Sequence, residues 1–151
     1  MLDTGITPIR VFSNAARFIE AYHRVLQPLC RESGLPPLAV DILMFAANNP
    51  EYATAKNICK YRGMKPSIVS VHVERLVGEG YLQRQEVPGD RRQTLLICTE
   101  RARSLIEHGR DLQKQFSERL TLGMSDADRE ALHKAMTLLD NNIEDIRKNG
   151  L

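Results

Sequence analysis

Cysteine is scarce: Cys30, Cys59 and Cys98 are the only three in 151 residues, odd in number and without a CxxC pair. That spacing excludes a disulfide framework and a structural zinc site, so reduced thiols packed as small hydrophobes are expected. Long apolar runs are missing too. No segment approaches the roughly 20 residues of a membrane helix, and Met1-Leu-Asp-Thr-Gly-Ile-Thr-Pro8 has neither the basic lead nor the apolar centre of a secretory signal. A cytoplasmic protein with no membrane partner is expected. No nucleophile sits in an elbow motif, no Gly-rich phosphate loop occurs, and no paired carboxylates fall where a cleft is suggested, so an enzyme is not expected and no cofactor is implied. His23, His72, His108 and His133 are scattered, which argues against a metal site. With no repeat, low-complexity tract or linker, and with 42% hydrophobic residues, one folded unit is expected.

The formal charge of +2 says little by itself, but its distribution is uneven. Residues 51–103 hold ten Lys or Arg against six Asp or Glu, while the remainder holds eleven against thirteen. Positive charge gathers in one segment, as expected where a polyanion binds.

Apolar periodicity predicts a helix over residues 6–33, with Val11, Ala15, Phe18, Tyr22, Val25 and Leu29 on one stripe and Phe12, Ala16, Ile19 and Leu26 on its neighbour. Two stripes call for two packing partners, either the chain's own core plus a second subunit or two surfaces of the same chain. Pro37 opens a second, buried helix ended by Asn48-Asn49-Pro50. Thr54 caps a third, which offers Ala55, Ile58 and Cys59 to the core and stops at Gly63. Pro66 opens a fourth, with Val69, Val73 and Leu76 inward.

The opposite face of that fourth helix carries Ser67, Val71 and Glu74, flanked by Ser70 and Arg75. Short polar groups, one methyl-bearing residue and an Arg suit a major-groove floor: Val71 against a thymine methyl, Ser67 or Ser70 on base edges or phosphates, and Glu74 orienting an Arg. An ordinary solvated helix surface is the competing reading. What favours the groove is the segment that follows. Leu82 to Val87 and Gln93 to Cys98 read as strands joined by Pro-Gly-Asp-Arg-Arg, a hairpin whose tip presents Arg91 and Arg92. Thr99 is expected to cap a long helix through Ala102, Leu105, Ile106, Leu112, Phe116 and Leu120, and Ser125-x-x-Asp128 to form a capping box for a last helix patterned on Leu132, Ala135, Leu139, Ile143 and Ile146. The fold class is mainly α with a small β-hairpin wing, a winged helix-turn-helix, and duplex DNA is the expected partner.

On these residues, and most sharply on Gly80-Tyr-Leu-Gln-Arg84, Asp90-x-Arg92 and Thr99, the chain resembles the MarR (multiple antibiotic resistance regulator) family of transcription factors. The resemblance implies a homodimer tied together by N- and C-terminal dimerisation helices at 6–33 and 101–149, with a DNA-binding lobe at 36–99. It implies recognition helices in successive major grooves of a pseudo-palindrome and wing arginines in the flanking minor groove. Arg92 then matches the family's wing Arg, Asp90 orients the tip, and Arg91 adds a phosphate or groove contact. The departures are Lys65 at the recognition-helix cap where Ser is frequent, Val71 where Arg or a polar group is frequent, and Cys98 for Leu. Repression is the family's usual outcome, relieved by a small aromatic or anionic effector; Arg17, Tyr22 and His23 are candidates to hold one. With no cysteine before Cys30, a peroxide sensor of the first-helix type is not expected. The alternative is a winged-helix module that binds protein instead of an operator.

Overall fold

The computed structural model describes residues 8–151, and the expected helix start at residue 6 and the stretch read for a signal lie outside the described residues. The order is α1 (Pro8–Val25), α2 (Gln27–Ser33), α3 (Pro37–Asn48), α4 (Ala55–Arg62), α5 (Pro66–Gly78), β1 (Leu82–Val87), β2 (Asp90–Cys98), a 3-10 turn at Glu100–Ala102, α6 (Arg103–Leu120) and α7 (Asp126–Asn149). The chain divides into two compact units, one ending at Lys114 and one running Gln115–Leu151. Among the described residues, no helix is long and apolar enough to cross a membrane.

The expected single helix over 6–33 is broken at Leu26. Pro28 lies in the first turn of α2; it has no N–H to donate, and its ring would clash with the carbonyl four residues back, so α1 cannot run through it. Gly34 ends α2 in the left-handed region, at φ +72°.

Around α3 the first unit closes its core. Val40, Ile42, Leu43, Met44 and Ala46 leave no side exposed, the signature of a helix covered all round. Leu26, Leu29, Leu35, Ile58, Val69, Leu76, Leu82, Leu96, Ala102, Leu105 and Ile106 complete it. Burying this apolar surface is the main favourable term of the lobe, at about 1.5–3 kcal/mol per large side chain. Ala55 lies exposed instead of inward, and Ala53 is the buried alanine. A close crossing brings α6 onto α3: a Cβ built on Gly109 would lie 2.4 Å from Met44 Sδ and 3.1 Å from Leu29 Cδ1.

The helix ends follow their sequence signals. Thr54 Oγ1 accepts from Asn57 N at 3.2 Å, opening α4, and Pro66 stands in the first turn of α5. In the second unit Ser125 and Asp128 form a reciprocal box, with Ser125 N donating to Asp128 Oδ2 at 2.8 Å and Asp128 N donating to Ser125 Oγ at 3.1 Å. Thr99 departs from expectation. It makes no cap bond; its hydroxyl donates to the carbonyls of Gly80 and Tyr81, and its N–H to Tyr81 O at 3.0 Å. The open end of the hairpin competes for Thr99 and wins, and the helix starts through a 3-10 turn instead.

Strands β1 and β2 pair antiparallel from Leu82 opposite Cys98 to Glu86 opposite Thr94, and the register then shifts between Glu86 and Val87. The turn is tighter than the five-residue loop expected: Pro88 and Gly89 alone form it, and Asp90, Arg91 and Arg92 belong to β2. Pro88 pre-sets its own φ and Gly89 takes φ +83°, the pairing a type II turn requires. The hairpin is fastened to the helices by Leu96 N donating to Ala53 O at 2.8 Å, beside a bridge between Thr54 and Leu95. The wing and the start of α4 therefore share a hydrogen-bond ladder.

Candidate nucleic-acid interface

Helix α5 buries Val69, Val73 and Leu76, and this fixes which residues it leaves to solvent. Lys65, Ser67, Ser70 and Val71 are exposed, and Val71 is 66% exposed. An uncovered valine among serines is what a groove-reading face needs: apolar contact for a methyl, hydroxyls for base edges or phosphate. Ile68, 39% exposed, is a further apolar residue on this helix that the sequence reading did not single out.

Two acids near that face are occupied. Glu74 is ion-paired with Arg84 of β1, which ties the wing to the helix and offsets a charge that would repel phosphate. Asp90 Oδ1 accepts from Arg92 N at 2.9 Å, a two-residue side-chain turn that holds the backbone at the hairpin tip. Arg91 and Arg92 are exposed, and neither guanidinium is bonded to a carboxylate among the described residues.

Arg75 is engaged inside the chain. Its Nε donates to Glu79 Oε1 at 2.8 Å and its Nη2 to Gly34 O at 2.9 Å, so one guanidinium clamps the end of α5 to the α2–α3 turn. Glu79 lies at i+4, within local reach along the helix, but a carbonyl 41 positions earlier has no local signal. His72, one turn before, has its pKa lowered by desolvation and by Arg75.

Behind this face lies a buried charged cluster that the sequence reading missed. Asp41, 3% exposed on α3, accepts from Arg62 Nη2 at 2.7 Å and lies 3.3 Å from His23 Nε2. One carboxylate thus joins α1, α3 and the end of α4, and as a buried ion it needs those partners. The Arg62 guanidinium also lies 5.6 Å from the centre of the Tyr22 ring, and Gln113 Nε2 donates to Tyr22 Oη at 2.7 Å. Burial, reinforced by Asp41, raises the Tyr22 phenol above its ordinary value. Of the three effector candidates, Tyr22 and His23 belong to this cluster and Arg17 lies on the exposed part of α1.

The cysteines are free and half-buried, and burial raises the thiols of Cys30 and Cys98, which disfavours the reactive thiolate. Among the described residues, no group of three or more His, Cys, Asp or Glu could hold a metal ion.

Residues 33–93 match the MarR family model. No curated protein matches the chain. Among solved structures, a MarR transcriptional regulator from Methanosarcina mazei Go1 superposes with a TM-score of 0.74 at 16% identity, over 93% of this chain and 94% of that one. A MarR family regulator from Listeria monocytogenes, complexed with 26mer DNA, gives 0.73 at 14% identity over 97% of each chain. CouR from Rhodococcus jostii RHA1, bound to p-coumaroyl-CoA, gives 0.69 at 21% identity over 91% of this chain and 92% of that one. The sequence match falls on the helix-turn-helix and wing described above, and the fold agrees with these structures over nearly the whole length, so residues 33–93 are similar to the MarR family and the chain has the fold of these winged-helix proteins.

Proposed function

We propose that this protein is a cytoplasmic, sequence-specific regulator of transcription, a repressor that binds a pseudo-palindromic operator in double-stranded DNA as a homodimer. In this reading α5 enters the major groove with Lys65, Ser67, Ser70 and Val71, and the wing carries Arg91 and Arg92 to the flanking minor groove. The observation that carries it is the division of charge on one lobe: Glu74 and Asp90 are bonded internally, whereas Arg91 and Arg92 stand exposed beside the groove-reading face. Arg75 acts as a strut that positions α5.

The dimer is supported by what α7 leaves uncovered. None of its residues is buried, yet Leu132, Met136, Leu139, Ile143 and Ile146 recur at alternate steps of four and three, each between 42% and 59% exposed. A stripe of that length needs a cover. Ile9, Val11, Phe12 and Ile19 of α1 are exposed too. A second copy covers both in this reading. A small aromatic or anionic effector releases the operator, a role supported by the CouR structure with p-coumaroyl-CoA.

Fluorescence anisotropy with random-sequence and selected duplexes tests the reading. Affinity should fall steeply with salt, because phosphate neutralisation releases counterions. Leu139→Glu with Ile143→Glu should give a monomer with strongly reduced DNA affinity. Salt-independent binding, or full affinity from the monomeric variant, contradicts the proposal, and salt-independent association with a protein instead would favour the interaction-module alternative.

A further inference from the structure

A side chain in the major groove reads guanine with a cation on O6 and N7, adenine with an amide, cytosine with a carboxylate, and thymine with an apolar group on its C5-methyl. Helix α5 has most of these means closed to it. Arg75, its one arginine, holds Glu79 Oε1 with Nε and Gly34 O with Nη2. No Asn or Gln occurs between Pro66 and Gly78, and the carboxylate of Glu74 is ion-paired with Arg84. His72 is half-buried, with its Nδ1 enclosed. Lys65 is exposed, but it stands at the N-cap, ahead of the first helical turn, and its ammonium is a point charge without the fork that matches guanine.

What the helix does offer is apolar. Ile68 and Val71 are 39% and 66% exposed. Three positions apart, they are neighbours on the helix surface, with Cβ atoms about 5–6 Å from each other, and they lie in the first two turns, the part of a recognition helix that meets base edges. Helix propensity does not account for them, because β-branched side chains lose rotamer freedom in a helix. The same lobe carries the exposed Arg91 and Arg92, so this apolar pair is presented to a polyanion, and the thymine methyl is the apolar group that a major-groove edge supplies.

We infer that α5 reads pyrimidine C5-methyl groups and not guanine, with Val71 as the specificity-determining contact, Ile68 beside it and Lys65 on phosphate. Each half-site then contains thymines one or two base steps apart, at ~3.4 Å per step. This inference rests on the DNA-binding reading and deepens it by naming the chemical group that is recognised.

The test starts from a duplex that the full chain selects out of a random-sequence pool. It is remade with deoxyuridine for each thymine in turn, in both half-sites, which removes the methyl and keeps the O4 acceptor, and with 7-deazaguanine for each guanine, which removes the N7 acceptor. Anisotropy reads the affinity. At one thymine position uracil should weaken binding about fourfold per methyl, about 15-fold over the two half-sites of a dimer. Val71→Ser, at an exposed position, should bring the thymine-to-uracil ratio there to about one while the salt slope holds. With cytosine at that position, 5-methylcytosine should bind more tightly than the unmethylated base, and 7-deazaguanine should change nothing. The inference is overturned if uracil has no effect at any position, if the ratio persists in Val71→Ser and so belongs to DNA shape, if 5-methylcytosine and cytosine bind equally, or if 7-deazaguanine costs about fivefold or more. Each of those results begins from sequence-selective binding and leaves the regulator standing. A pool that yields no common sequence sinks the regulator and this inference with it.

Discussion

Replacing both wing arginines, Arg91→Ala with Arg92→Ala, removes two exposed guanidinium groups per chain, four in a dimer. Each phosphate neutralised contributes about 0.9 to the slope of log K against log salt, so with one phosphate per arginine the slope should flatten by about 3.6. Between ~0.05 and ~0.2 M salt the wild type should therefore lose about 150-fold more affinity than the variant. The fold should survive, because neither side chain is bonded to a carboxylate among the described residues and the tip is held by Asp90 through the Arg92 N–H, a backbone bond that alanine keeps. The assay is anisotropy of a labelled duplex at a series of salt concentrations, with the oligomer checked by light scattering. A slope unchanged within error, on a folded dimer, would refute the assignment of these residues to phosphate or groove contact.

Arg75→Ala should do the reverse: it loses the bonds to Glu79 and Gly34 O and so about 1 kcal/mol of stability, discounted for a side chain 44% exposed, while the salt slope holds in anisotropy. Gly109→Ala should lower the unfolding free energy by up to about 2 kcal/mol in denaturant melts, because the overpacking cost of ~1–3 kcal/mol against Met44 and Leu29 is offset by the ~1 kcal/mol gained in helix propensity. Ser125→Ala should cost about 1 kcal/mol of α7 stability, read as helix content on heating. The Asp128 carboxyl is held below its ordinary value by its bonds to the Ser125 backbone N–H and hydroxyl. A depressed carboxyl contributes fully above its unfolded value and loses that contribution as pH falls through the folded one, so the cap should open only in acid below the usual Asp range. NMR titration of Asp128 checks it, and a normal value would contradict the box.

Local signals were legible in the sequence. Thr54, Gly63, Pro66 and the Ser125–Asp128 pair each act within a turn of the chain, and each did what its chemistry dictates. The break at Leu26 was also written there, in Pro28, but the apolar stripes running through it read more strongly than one imino acid. Thr99 shows the limit of local reasoning: its hydroxyl, expected to accept from a helix N–H, instead donates to carbonyls 18 and 19 positions back. Asp41 stands in a run of apolar residues that says only that the helix is buried. Its partners lie 18 and 21 positions away, and only folding brings them to one oxygen. Arg75 fails to look structural for the same reason, since its strut partner Gly34 offers only a backbone carbonyl.

The most direct test is to let the purified protein select duplexes from fragmented genomic DNA and sequence what it retains. The recovered sites should share an inverted repeat with half-site centres about 10 bp apart, one helical turn, as two copies of α5 on a symmetric dimer require. Recovery of no common sequence, or of a lone half-site held by a single chain, would contradict it.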